Sequence, residues 1–87
     1  MPRIEKTIIV KCKHGLHARP AAMFVQLANK YDSSAMVRKG QEEVNGKSIM
    51  GILMLGADCG CELVLVTDGD DAQAAFADLE GFLAKED

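Results

Sequence analysis

Apolar positions set two rhythms along the chain. From Ile4 to Cys12 they alternate: Ile4, Ile8, Val10 and Cys12 share one face, broken only by Lys6, while Glu5, Thr7 and Lys11 share the other. A period of two predicts a half-buried strand, which Lys13-His14-Gly15 ends. The period then lengthens. Ala21, Phe24, Val25 and Ala28 recur at spacings of three and four, which predicts a helix over Ala18 to Lys30 with one core-facing stripe.

Short elements follow. Ala35 to Arg38 and Gln41 to Val44 read as two strands joined by a turn at Lys39-Gly40, and Asn45-Gly46-Lys47 is turn chemistry again. Ser48 is a good N-cap for a helix over Ile49 to Leu55. That segment, Ile-Met-Gly-Ile-Leu-Met-Leu, is apolar on every side. A helix at the edge of a small domain cannot bury all of its sides, so part of this one is expected to form an exposed docking patch. Gly56 to Gly60 reads as loop, and Cys61 to Thr67, with its run Leu63-Val64-Leu65-Val66, as a well-buried strand. Asp68-Gly69 turns the chain. Asp70 is expected to cap the last helix, with Gln73 completing a capping box, and Ala72, Ala75, Phe76, Leu79, Phe82 and Leu83 form its buried stripe. Lys85-Glu86-Asp87 reads as a solvated tail. The order strand, helix, two strands, helix, strand, helix argues for α+β, with helices on one face of an antiparallel sheet.

Length and charge narrow the function. The 87 residues suffice for one domain, 1–87. The formal net charge of −3 and the scarcity of aromatic residues argue against nucleic acid as a partner. No apolar run reaches the roughly 20 residues of a membrane helix, and the N-terminal residues lack the apolar core of a secretory signal, so a cytoplasmic protein without a membrane partner is expected. The three cysteines are then expected to be reduced thiols. His14 with Cys12, and Cys59-x-Cys61, lack the spacing of a metal site. Cys12 and Cys61 read as small apolar residues on or beside strands, His14 as a loop residue, and neither a metal nor a cofactor is expected.

The stretch Gly15-Leu16-His17-Ala18-Arg19-Pro20 carries the candidate chemistry. His17 stands at the N-cap of the first helix, and Pro20 sits in its first turn, where a missing N–H costs little. Histidine is a poor cap, which suggests a chemical role. The unpaired amides of Ala18 and Arg19 and the positive end of the helix dipole make an anion site. A neutral imidazole is available as a nucleophile near pH 7, and Arg19 can offer a fork of donors to phosphoryl oxygens. No acid–base pair, second nucleophile or Gly-rich nucleotide loop accompanies them. The stretch can therefore accept and surrender a phosphoryl group, but an enzyme's barrier-lowering machinery must come from partners.

Gly15-Leu16-His17-Ala18-Arg19-Pro20-Ala21, followed by Asn45-Gly46-Lys47-Ser48 and an apolar helix, resembles the HPr family, the histidine-containing phosphocarriers of the phosphoenolpyruvate-dependent sugar phosphotransferase system. The resemblance runs over essentially the whole chain. It implies an open-faced β-sandwich, βαββαβα, with a four-stranded antiparallel sheet of order 1-4-2-3 and three helices on one face. It implies phosphorylation of His17 at Nδ1 by phospho-enzyme I and transfer to enzyme IIA proteins, with Arg19 contacting the phosphate. The implied docking surface joins Ala18 and Ala22 to Ile49, Met50 and Leu53. Ser48 matches a serine that a dedicated HPr kinase/phosphorylase modifies in many bacteria, and a phosphate there would set about two negative charges beside the docking patch. Gln26, Asn29 and Gly51 stand where sugar-branch members often carry lysine, and Leu53-Met54-Leu55 is similar to the nitrogen-related paralogue. The alternatives are therefore a carrier of that regulatory branch, or a binding module acting through Ser48 alone. A small domain holding a free anion at the helix start ranks last. A transient shuttle is expected to be a monomer.

Overall fold

The computed structural model describes residues 2–11, 13 and 15–85; the expectations for Cys12, His14 and the last two residues of the tail lie outside them. The elements are β1 (Arg3–Ile9), α1 (Ala18–Ala28), β2 (Ser34–Lys39), β3 (Glu42–Asn45), α2 (Ile49–Leu55), β4 (Glu62–Asp68) and α3 (Ala72–Ala84). The four strands form one antiparallel sheet in the order β1-β4-β2-β3. The α+β class and the strand order both agree with the sequence reading.

The sheet register explains the first strand's pattern. Ile8 lies opposite Leu63, Lys6 opposite Leu65 and Ile4 opposite Thr67, while Val37 and Ala35 oppose Leu65 and Thr67 from the other side. One face of the sheet thus presents a continuous apolar layer, and Phe24, Leu16, Ile52, Leu79 and Leu83 close over it, all fully buried. Lys6, the odd residue of that face, sets its Nζ 5.7 Å from the centre of the Phe76 ring, a cation–π contact that lets a charge sit at the core's margin. The opposite face carries Glu5 paired with Arg3 at 2.9 Å and with Arg38 at 3.6 Å.

Three expectations need correction. The first strand ends at Ile9 and not at Cys12, because Val10 exchanges hydrogen bonds with the turn at Gly60 and Cys61, and the Lys11 amide turns to Leu83 O at 2.8 Å. The first helix ends at Ala28 and not at Lys30: the amides of Lys30 and Tyr31 bond three residues back, to Leu27 and Ala28, which tightens the chain out of the α ladder. Asp71, not Asp70, precedes α3, and no side chain caps it. The Asp71 carboxylate is taken by the backbone amides of Asp32 (3.0 Å) and Ser33 (2.9 Å) and by the Ser33 hydroxyl. A long-range partner has displaced the local capping box, because these bonds also anchor the α1–β2 connection.

Candidate functional site

His17 is the N-cap residue of α1, with an extended backbone and no capping bond from its side chain. Its ring is therefore not committed to the helix, and it stays 48 % exposed. Two features of the backbone hold it there. Gly15 has φ +67°, and a Cβ on it would lie 2.5 Å from Ala57 O and 2.9 Å from the Asp58 Cα. Only a glycine allows the two loops to approach so closely. The next residue seals the contact, the Leu16 amide donating to Ala57 O at 2.7 Å while its side chain is fully buried.

That approach brings Asp58 to the histidine. His17 Nε2 lies 2.8 Å from Asp58 Oδ1. The hydrogen bond to His17, opposed by some desolvation and helped by the charges of His17 and Lys39, holds the Asp58 carboxyl below its usual range. An ionised carboxylate only accepts, so Nε2 must carry the proton it shares, and in the neutral ring Nδ1 keeps its lone pair. Asp58 lies in a segment that sequence reasoning could only read as loop. Nothing in its neighbourhood along the chain points to a histidine 41 residues away.

Ala18 follows with φ +46°, the sole non-glycine among the described residues with a left-handed backbone. A left-handed alanine costs on the order of 1–2 kcal/mol, and such strain collects where surrounding structure fixes an unusual geometry. The first-turn amides after it have no partner within the helix. Arg19 is exposed and, among the described residues, forms no ion pair, which leaves its guanidinium available to an anion.

The second candidate region lies beside the first. Ser48 caps α2 as expected, its Oγ accepting from the Gly51 amide at 3.2 Å, and Gly56 ends the helix with φ +64°. Ile52 and Leu55 are buried, while Ile49, Leu53, Met50 (64 %) and Met54 (73 %) face outward. Met23 of α1 is also exposed and Ala22 half-buried. The expected patch of Ala18, Ala22, Ile49, Met50 and Leu53 is thus accessible, and Met54 adds the most exposed large apolar side chain among the described residues. Asn29 serves the fold. Its amide donates to Val25 O (2.9 Å) and Lys47 O (3.3 Å), tying the end of α1 to the turn before α2. Among the described residues no group of three or more His, Cys, Asp or Glu is placed to hold a metal ion, and no helix is long and apolar enough to cross a membrane.

Comparison with known proteins gives the kinship of the fold and sequence. The family model described as the PTS HPr component phosphorylation site matches residues 4–85. The HPr-like protein Crh of Halalkalibacterium halodurans is 46 % identical over 83 residues, 95 % of this chain and 99 % of that protein. The crystal structure of the phosphocarrier protein HPr from Bacillus anthracis superposes with a TM-score of 0.92 at 38 % identity, covering 95 % of this chain and 99 % of the other. Crh of Bacillus subtilis, whose crystal structure is a dimer with a swapped domain, matches with a TM-score of 0.77 at 40 % identity over 95 % of both chains. With a half-exposed histidine at the start of α1, an apolar face on α2 and this fold and sequence kinship over nearly its whole length, the chain belongs to the HPr family of phosphotransferase-system phosphocarriers.

Proposed function

We propose that this protein carries a phosphoryl group on His17, accepting it from phospho-enzyme I and passing it to enzyme IIA proteins of the sugar phosphotransferase system in the cytoplasm. The observation that carries the reading is the His17–Asp58 bond, which commits Nε2 and leaves Nδ1 as the nucleophile at the start of α1. Nδ1 attacks phosphorus as the bond to the donor breaks. The amides at the helix start, the dipole and the Arg19 guanidinium then stabilise the added negative charge. Both partners act as catalysts and this chain as their shared substrate, docking through Ala18, Ala22, Ile49, Met50, Leu53 and Met54. A visiting protein needs the ring exposed and the contact brief, which suits a monomer.

The test is incubation with phosphoenolpyruvate and enzyme I. An acid-labile, base-stable phosphoryl adduct is expected, absent from His17→Ala; equal labelling of His17→Ala overturns the reading.

The kinship to Crh, which is described in Bacillus subtilis as the catabolite repression HPr, favours a second role. In that role an HPr kinase/phosphorylase modifies Ser48. The serine is half-buried as a cap, so a phosphate there sits at the start of α2 and beside the apolar patch. If Ser48 acts alone, Ser48→Asp changes partner affinity and His17→Ala changes nothing. If the relay operates, both substitutions lower transfer to enzyme IIA. Service to the nitrogen-related branch is tested in the same assay by exchanging the enzyme I and enzyme IIA of the two branches.

A further inference from the structure

The loop that supplies Asp58 also holds two of the chain's three cysteines, in the run Asp58-Cys59-Gly60-Cys61. Both are free thiols, Cys59 exposed and Cys61 half-buried against the core. The run is folded into one tight turn: the Cys61 amide donates to Asp58 O at 3.1 Å. Gly60 has φ +92°, and nothing lies within 4 Å of where its Cβ would be. The glycine is thus required by the turn and not by crowding. Two further bonds pin the far side of the turn to Val10, whose carbonyl accepts from Gly60 at 2.6 Å and whose amide donates to Cys61 O at 2.9 Å.

This geometry bears on redox chemistry. In an extended chain, residues two apart have Cα atoms separated by about 7 Å, just outside the roughly 4.4–6.8 Å of a disulfide. A tight turn draws its first and fourth Cα atoms to within about 7 Å and the inner pairs closer, which brings Cys59 and Cys61 into range. A ring closed over one intervening residue removes little chain entropy, and small strained rings are readily reduced. Such a bond is a switch rather than a staple.

We propose that Cys59 and Cys61 form a reversible disulfide within this turn, and that closing it displaces Asp58 from His17. The oxidant is a small-molecule disulfide. The Cys59 thiolate attacks one of its sulfurs, the oxidant's S–S bond breaks, and one thiol leaves. The Cys61 sulfur then attacks Cys59 Sγ, breaking the mixed disulfide and expelling the second thiol. Two electrons pass from the cysteines to the oxidant, and the two cysteine protons end on the two released thiols. Cys61 is held by Val10 and by its packing, so the exposed Cys59 moves to meet it. Asp58, directly bonded to Cys59 in the chain, moves with it, and the 2.8 Å bond to His17 Nε2 is lost.

The experiment uses full-length protein carrying Cys12→Ser, so that only the two turn cysteines remain. It is equilibrated in reduced and oxidised glutathione, the free thiols are alkylated, and its mass and His17 ring NMR resonances are recorded. The expected result is a species lighter by two hydrogens, unreactive to alkylation, whose His17 ring resonances shift and return on reduction. Adding Cys59→Ser abolishes both effects, while the circular dichroism of each form stays that of the folded protein. Thiols that stay alkylatable, or that end as two separate glutathione adducts, overturn the disulfide. A disulfide that forms without moving the His17 resonances overturns the coupling. Neither readout involves phosphoryl transfer, so these outcomes are independent of the carrier assay.

Discussion

A histidine with one ring nitrogen tied down and the other open is a different reagent from a free surface histidine. Asp58 makes that difference, and its own titration reports it. Because its pKa is lowered in the folded chain, the contribution of the His17 bond is present above the ordinary carboxylate value of about 3.9 and is lost as pH falls through the lower folded value. We expect the Asp58 carboxyl resonance to titrate below its usual range, and to return to it in His17→Ala. An exposed pair of this kind is weak, so Asp58→Asn should slow phosphoryl acceptance by roughly two- to fivefold and not abolish it. Ala18 is the complementary case. Its left-handed backbone is strained, and Ala18→Gly removes that strain while loosening the unfolded chain. The two effects leave a net gain of about 0.5–1 kcal/mol in denaturant unfolding.

At the level of elements, caps and connections decide where helices start. Ser48→Ala removes the one side-chain cap of α2 and should cost about 1 kcal/mol, measured as a lower urea midpoint with an unchanged slope. The start of α3 is governed differently. The Ser33 hydroxyl first, and the Asp32 amide next, hold the Asp71 carboxyl below its usual value. Its stabilisation is therefore complete above about pH 4 and lost on acidification. Asp71→Asn should flatten the acid limb of the stability–pH curve and leave the shape of the neutral region unaltered. A nearby tie, from the Tyr31 hydroxyl to the Asp78 carboxylate, raises the Tyr31 pKa and joins the end of α1 to α3 on the same side.

The whole molecule sorts its apolar surface into two uses. One sheet face and the inner sides of three helices make the core, where Phe24→Ala should cost roughly 3–5 kcal/mol. The outer side of α2 keeps Met50 and Met54 in solvent beside His17's helix, and on the proposed relay methionine's flexibility would suit successive partners. Met54→Glu should leave thermal unfolding nearly unchanged and raise the KM for this chain in the enzyme I reaction by several-fold. The fold explains why a small chain tolerates such exposure: β4 lies between β1 and β2 and is buried along most of its length, so the core does not depend on α2's outer face.

Local signals located all seven elements: apolar periodicity marked β1, α1 and α3, an apolar run β4, turn residues β2 and β3, and the Ser48 cap α2, and each is a property of a few neighbouring residues. The bounds of α2 at Ile49–Leu55 were legible to the residue, since Ser48 and Gly56 cap it from within its own sequence. The place of His17 at the start of α1 was legible for the same reason: a histidine before an Ala-Arg-Pro helix start is a local signal. Tertiary structure decided the rest. It drew the Asp71 carboxylate away from its own helix to the loop at Asp32 and Ser33, and it diverted Val10 and Lys11 from the first strand. It also set Asp58 against a histidine 41 residues earlier. Each of these is a hydrogen bond between segments far apart in the chain. Their formation depends on the sheet order and on the clearance at Gly15, which no local pattern of residues encodes.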